Sequence, residues 1–401
     1  MRRFVSRGVK AEPMAIAGTG VLPVQIATSP RDDVATTRVA SLDSLRGLAA
    51  LSVVTCHYFI LLANTPFGQY VSPWFLFPPL SLFKTAYGAV ILFFVLSGYV
   101  LALSLRDEAG GLSWGGFAVR RFCRIWPPYA ATILISFLIG YVALASETSL
   151  PSVWQVNTWH RDDITLGNLI DQIGMATSRI SLDVPGWSLV HELRITLAFP
   201  LMLFCLRRAP ATTIGASFFL QIADQCGPPW LAGLIPGTAI YIVYFAAGAW
   251  LALNNARIPL LKQTTPPTKA LLAATAVLFL ATPGNQPWDG VIAGLGAILI
   301  IAIVITSPKI GRLLSAPWCA ALGRVSYSLY LTHVVVLMAL GRGLGGWLPV
   351  WLILIIAAPV IGIVAWIGYR WVEQPSIRIG RLITARLGAA RRSEALLDAG
   401  A

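Results

Sequence analysis

The stretch "SLDSLRGLAALSVVTCHY" covers Ser41–Tyr58 and is mostly apolar, yet it holds Arg46 near its start and His57 eleven residues later. Eleven residues at 100° each make three turns plus about 20°, so on a helix both side chains share one face. At 1.5 Å per residue they lie about 16 Å apart along the axis. In a helix that crosses lipid, ionisable groups are costly and mark a functional position by default. The reading of this stretch therefore turns on whether the chain is a membrane protein.

Hydrophobic residues make up 56% of the 401 residues and charged ones 12%, about half the usual charged share of a soluble domain. Three further runs are nearly continuous and uncharged: "AVILFFVLSGYVLALSL" (89–105), "YAATILISFLIGYVALA" (129–145) and "VIAGLGAILIIAIVIT" (291–306). Each is about long enough to span the hydrocarbon core. The pattern predicts an all-α, polytopic membrane helical bundle. Ten spans are expected, at about 42–63, 86–105, 125–145, 185–205, 211–227, 236–254, 269–282, 289–306, 325–342 and 349–369. The fifth and seventh are short and carry polar residues.

Charge placement agrees with this count. With both termini in the cytoplasm, Lys84, Arg161, Arg179 and Arg342 fall in outer loops and Arg194 inside a span. The other 25 of the 30 Lys and Arg gather on the inner side, as the positive-inside rule requires. The net charge of +13 is then spread over cytoplasmic loops facing anionic lipid. No basic stripe interleaved with aromatics is present, which speaks against a nucleic-acid partner. The expected location is the cell membrane (cytoplasmic or inner), crossed many times, with the bilayer as the first partner.

Five cysteines without CxxC spacing give no disulfide framework. The four histidines, His57, His160, His191 and His333, lack i, i+4 spacing, so no local metal site is expected. Residues 1–38 form a basic arm punctuated by Pro and Gly, read as a disordered cytoplasmic tail. Residues 383–401 read as a second cytoplasmic tail or a short surface helix. The chemistry is expected within 39–382.

Four further constellations stand out there. "RRFCRIWPPY" (120–129) places Arg121 and Arg124 three apart, hence on one helix face, with Arg120 beside them. Guanidinium groups pair well with phosphates; the alternative is ordinary cytoplasmic anchoring. "VPGWSLVHELRI" (184–195) brings Trp187, Ser188, Glu192 and Arg194 to the start of the fourth span. Glu192 sits about 12 Å below the outer boundary, a depth comparable to that of His57, so a Glu192–His57 hydrogen bond is expected. The alternative is a structural pairing of Glu192. "LGRVSYSLYLTHVVV" (322–336) opens with Gly323 and Arg324 as an apparent turn and continues with Ser326, Tyr327, Tyr330, Thr332 and His333. His333 is a candidate second titrating group or a hydrogen-bonded structural histidine. "YRWVEQPSIRIGR" (369–381) reads as a helix stop with basic anchors.

These pieces, with "FFVLSGYVL" (93–101), occur in an order that resembles the acyltransferase-3 family of integral membrane acyltransferases. The resemblance covers about residues 40–382 and six motifs. It implies transfer of an acyl group, acetyl by default, from cytosolic acyl-CoA to a hydroxyl of a sugar, a surface polysaccharide or a glycosylated small molecule. His57 matches the family's essential histidine and Arg46 its partnered arginine, and Glu192 matches the acidic residue after "WSL". Arg120, Arg121, Arg124, Trp187, Ser188, Tyr327 and His333 are the expected substrate-binding residues. No permanently bound cofactor or metal is implied; acyl-CoA enters as a substrate, and polysaccharide biosynthesis proteins are candidate partners. After Glu192 the family commonly has an aromatic pair, where this chain has Arg194. A neutral imidazole at His57 can take a proton from a hydroxyl or carry the acyl group itself. The other class that such residues allow is a proton-coupled transporter, but no paired repeat of broken helices accompanies them.

Overall fold

The computed structural model describes residues 30–63, 65–107, 114–143, 159–227, 237–254, 263–286 and 288–398. Among the described residues there is no strand. Among the described residues the main helices are α1 (Pro30–Leu62), α2 (Tyr87–Asp107), α3 (Trp114–Ala143), α4 (Leu166–Ile173), α5 (Gly186–Arg208) and α6 (Pro210–Cys226), then α7 (Ile242–Leu253), α8 (Pro266–Leu280), α9 (Asp289–Thr306), α10 (Pro317–Leu344), α11 (Val350–Gly368) and α12 (Gln374–Asp398), with two short helices at Pro66–Val71 and Pro308–Leu314. All ten expected spans fall on helices. Seven are long and apolar enough to cross a bilayer: α1 from Ala40, α2, α3, α5, α9, α10 and α11. The remaining three, α6, α7 and α8, have 17, 12 and 15 residues, below the roughly 20 that a full crossing takes.

Three local readings change. The helix of α1 begins at Pro30, so residues 30–38 of the expected disordered arm are helical; proline fits a first helical turn, where its missing N–H costs nothing. Residues 1–29 lie outside the described set. Gly323 and Arg324 are not an initial turn but lie inside α10, six and seven residues past its start at Pro317. The motif "RRFCRIWPPY" lies wholly within α3, prolines included, so Arg121 and Arg124 share a helix as expected. Finally, "WVEQP" does not stop the helix. A π-turn over Tyr369–Glu373 joins α11 to α12, and such a turn just before Pro375 absorbs the register break that a proline imposes. The expected C-terminal tail continues as α12 to Asp398.

Small residues set the helix spacing, as is usual where lipid supplies no hydrophobic drive between helices. A Cβ on Gly98 of α2 would collide with the Phe245 carbonyl of α7, and one on Gly248 with the Val95 carbonyl. Across α1 and α10, Gly47 and Gly323 play the same part. One buried cluster runs through α2, α3, α5, α7 and α9. A second joins the C-terminal half of α1 to α10 and α11, and is closed by the fully buried Trp159 from the segment between α3 and α4.

Candidate active site

Helix α3 carries Arg121 and Arg124 three residues apart, and α1 brings Arg46 to the same place. The three guanidinium groups line one pocket with Glu192 and Ser188 of α5, Phe93 and Ser97 of α2, and Tyr327 and Tyr330 of α10. Five helices thus contribute to one concave site, the usual position for a ligand between helices of a bundle. Each polar wall is held by hydrogen bonds. Arg46 Nη1 donates to Asp43 Oδ1 at 3.0 Å. Arg121 Nη2 donates to Ser104 Oγ at 3.3 Å, and Tyr327 Oη donates to the Ile125 carbonyl at 2.7 Å.

Glu192 accepts a hydrogen bond from Ser97 Oγ at 2.8 Å and not from His57, which corrects the expected pairing. The reason lies in the neighbours. Helix α5 packs on α2 and α3, whereas α1 packs chiefly on α10. Equal depth in the bilayer did not put the two groups on facing helices. The carboxylate belongs instead to the arginine-lined pocket, where its charge offsets part of the repulsion among three cations.

His57 meets His333. The His333 Nε2 lies 3.0 Å from His57 Nδ1, and the ring centroids are 4.9 Å apart. Each Nδ1 also faces the carbonyl one turn back on its own helix: Val53 at 2.8 Å for His57 and Leu329 at 3.0 Å for His333. His333 is fully buried and His57 is 8% exposed. Tyr330 lines the pocket and lies beside His333. Its ring is 6.1 Å from the His333 centroid and 5.5 Å, edge to face, from Phe93. Its hydroxyl is tied to Ser188 Oγ at 2.8 Å and to the Pro185 carbonyl at 3.2 Å. The aromatic wall that Tyr330 and Phe93 form is thus anchored to the start of α5.

Four expected site residues lie outside the pocket lining: His57 and His333, which form the pair just described, and Trp187 and Arg120. Trp187 packs against His191 and Tyr241, with centroids 5.8 and 5.7 Å away. Arg120 is outside the pocket lining; its Cα approaches Gly380 of α12, which is where the turn of α3 points a residue adjacent to Arg121. Tyr330 and Ser97, by contrast, were not expected site residues, although both sit in the quoted motifs. Arg194 also has a clear position: its Nη2 donates to the Met175 and Ala176 carbonyls at 2.7 and 3.0 Å. It clamps the loop between α4 and α5 to α5 rather than pairing with Glu192. Glu373, read as part of a helix stop, is buried and accepts from Ser328 Oγ of α10 at 2.7 Å.

Comparisons with known proteins bear on the family. The family model described as "Acyltransferase domain" (acyltransferase-3) matches residues 39–370. Acyltransferase MdmB of Streptomyces mycarofaciens is 27% identical over 356 residues, covering 77% of this chain and 81% of that protein. The "Putative peptidoglycan O-acetyltransferase YrhL" of Bacillus subtilis (strain 168) is 26% identical over 374 residues. That match covers 84% of this chain but only 54% of the relative, so the chain spans about half of YrhL. No solved structure matches. A helical membrane bundle, a five-helix pocket and a family match over most of the length lead to one conclusion: the chain belongs to the acyltransferase-3 family and is a multi-pass membrane O-acyltransferase.

Proposed function

We propose that the protein moves an acyl group, acetyl by default, from cytosolic acyl-CoA to a hydroxyl of a sugar, a surface polysaccharide or a glycosylated small molecule at the cell membrane. The observation that carries this reading is the convergence of Arg46, Arg121 and Arg124 on one pocket whose lining includes Tyr330, which packs against Phe93 and His333, with His57 on the far side of the His333 contact. Guanidinium groups suit the phosphates of a nucleotide. The pantetheine arm is long and thin, and it would carry the thioester past the aromatic wall. The name of YrhL, a putative peptidoglycan O-acetyltransferase, adds support for acetyl as the group and for a glycan as the acceptor.

In the transfer, His57 removes the proton from the acceptor hydroxyl as its oxygen attacks the thioester carbonyl. A C–O bond forms, the C–S bond breaks, and the imidazolium returns the proton to the departing thiolate of CoA. The variant in which His57 carries the acyl group splits this into two transfers with the same balance. Direct transfer is favoured, because it needs one activated group and one chemical step.

The test is incubation of the purified protein in nanodiscs with labelled acetyl-CoA. Acyltransfer predicts slow release of free CoA thiol, with label passing to water or to an added sugar. A protein that leaves the thioester intact under all acceptors would fit a transporter instead. Mass spectrometry of glycans and secreted metabolites from a deletion strain identifies the acceptor.

A further inference from the structure

The hydrogen bonds around the two histidines fix where their protons sit. A carbonyl oxygen only accepts. Val53 O faces His57 Nδ1, and Leu329 O faces His333 Nδ1. In the neutral rings each Nδ1 therefore carries the hydrogen, and each Nε2 carries the lone pair, because a neutral imidazole has one of each. The 3.0 Å contact between His333 Nε2 and His57 Nδ1 then has a single sense. His57 Nδ1–H is shared between Val53 O and His333 Nε2, and His333 is the acceptor.

We infer that His333 is the positioning residue of the transfer: it holds His57 with its lone pair on Nε2, which makes Nε2 the reacting atom, and it takes up part of the charge when His57 becomes imidazolium. This inference rests on the proposed use of His57. The arrangement follows the logic of a base oriented by a third group, with a neutral imidazole in the place where a carboxylate is usual. A neutral acceptor suits this location. His333 has no exposed surface, and a carboxylate there would have to be held without water. Protonation of His57 at Nε2 leaves Nδ1–H in place and strengthens its bond to His333, since hydrogen bonds from charged donors are about twice as strong as neutral ones. The backbone bond from His333 Nδ1 to Leu329 keeps the acceptor lone pair aimed at α1 throughout.

Two substitutions separate this role from packing. Glutamine places an amide oxygen near the position of Nε2, whereas asparagine is too short and leaves only the Leu329 side of the ring replaced. His333→Gln is expected to hydrolyse acetyl-CoA within about tenfold of wild type. His333→Asn is expected to lose about 10²-fold in kcat, with KM for acetyl-CoA unchanged and thermal stability close to that of the glutamine variant. A wild-type rate in His333→Asn overturns the inference. So does a His333→Gln enzyme as impaired as His333→Asn at equal stability.

Should either variant fail to fold, the tautomer can be read in the wild-type protein. With only four histidines, solid-state nitrogen NMR of ¹⁵N-histidine-labelled protein in bilayers, with His57→Gln to assign the signal, reports which nitrogen of His57 bears the proton. Hydrogen on Nδ1 is expected, and hydrogen on Nε2 overturns the inference. Failure here is distinct from failure of the proposed function. If His57→Ala is inactive while His333→Asn is fully active, only the pairing falls; if His57→Ala keeps its activity, the use of His57 falls with it.

Discussion

Gly47 and Gly323 face each other where α1 crosses α10, so closely that a Cβ on Gly47 would lie 2.7 Å from the Gly323 nitrogen. A Cβ on Gly323 would in turn lie 2.6 Å from the carbonyl carbon of Asp43. This contact sits one turn or less from Arg46 and ten residues before both His57 and His333 on their respective helices. The two helices run the same way from a fixed crossing point, and equal steps along each bring the imidazoles together. The glycine pair thus sets the helix register that the histidine contact needs.

Substituting either glycine should therefore act at a distance. Gly323→Val forces α10 away from α1 by overpacking, at a cost of about 1–3 kcal/mol. The expected result is a protein that still inserts but has lost most acetyl-CoA hydrolysis, measured beside its thermal unfolding in detergent. Wild-type activity in Gly323→Val would show that the crossing does not control the pair.

The arginine pocket predicts a graded effect. Arg121→Ala and Arg124→Ala should each raise the KM for acetyl-CoA by the loss of one charge-assisted phosphate contact, about 1.5–3 kcal/mol. Arg120→Ala, outside the pocket, should change it little. Equal effects at all three positions, or normal donor kinetics with poor insertion, would make these residues topology determinants alone.

Asp183 offers a pH-dependent prediction away from the chemistry. It lies in the loop just before α5, fully buried, and neither carboxyl oxygen has a hydrogen-bond partner among the described residues. Burial raises its carboxyl well above the usual carboxylate range. The folded state then binds the proton more tightly than the unfolded chain, so the stability from Asp183 is full below the ordinary pKa of about 4 and falls as pH rises toward the folded value. Asp183→Asn, which cannot ionise, should unfold at a higher temperature than wild type at pH 8, and the gap should shrink at pH 5. A gap that is constant with pH would show that Asp183 does not titrate in this way.

Topology mapping tests the sidedness on which the depth of each residue depends. Reporters at both termini and in the 255–268 loop should read cytoplasm, and one in the 146–183 loop should read outside. Within these regions, residues 1–29, 146–158, 255–262 and 399–401 lie outside the described residues. A cytoplasmic reading for 146–183 would reverse the assignment of donor and acceptor sides.

Much of this architecture was legible in the sequence, because a bilayer imposes one simple demand on length and hydropathy. The three-residue spacing of Arg121 and Arg124 also carried directly to the pocket, with Arg120 turned aside as helical geometry requires. The His57–His333 contact was not legible. The two residues are 276 positions apart, and their meeting depends on a helix crossing set by two glycines that periodicity cannot pair. Glu192 was misassigned for the same reason: depth is readable from residue counts, whereas the choice of neighbouring helix is not. The "WVEQP" segment misled because a proline after a polar pair usually marks a stop, and a π-turn can carry the helix past it.

The most direct test is the rate of thiol release from acetyl-CoA by His57→Ala compared with wild type, at equal amounts of folded protein in nanodiscs. Loss of a general base predicts a fall of about 10²–10⁴ in that rate with donor binding retained. Rapid incubation of wild type with labelled donor should leave no hydroxylamine-sensitive adduct if transfer is direct, and a stoichiometric one if His57 is the carrier. A His57→Ala protein that hydrolyses acetyl-CoA at the wild-type rate would contradict the account, whichever of the two routes it took.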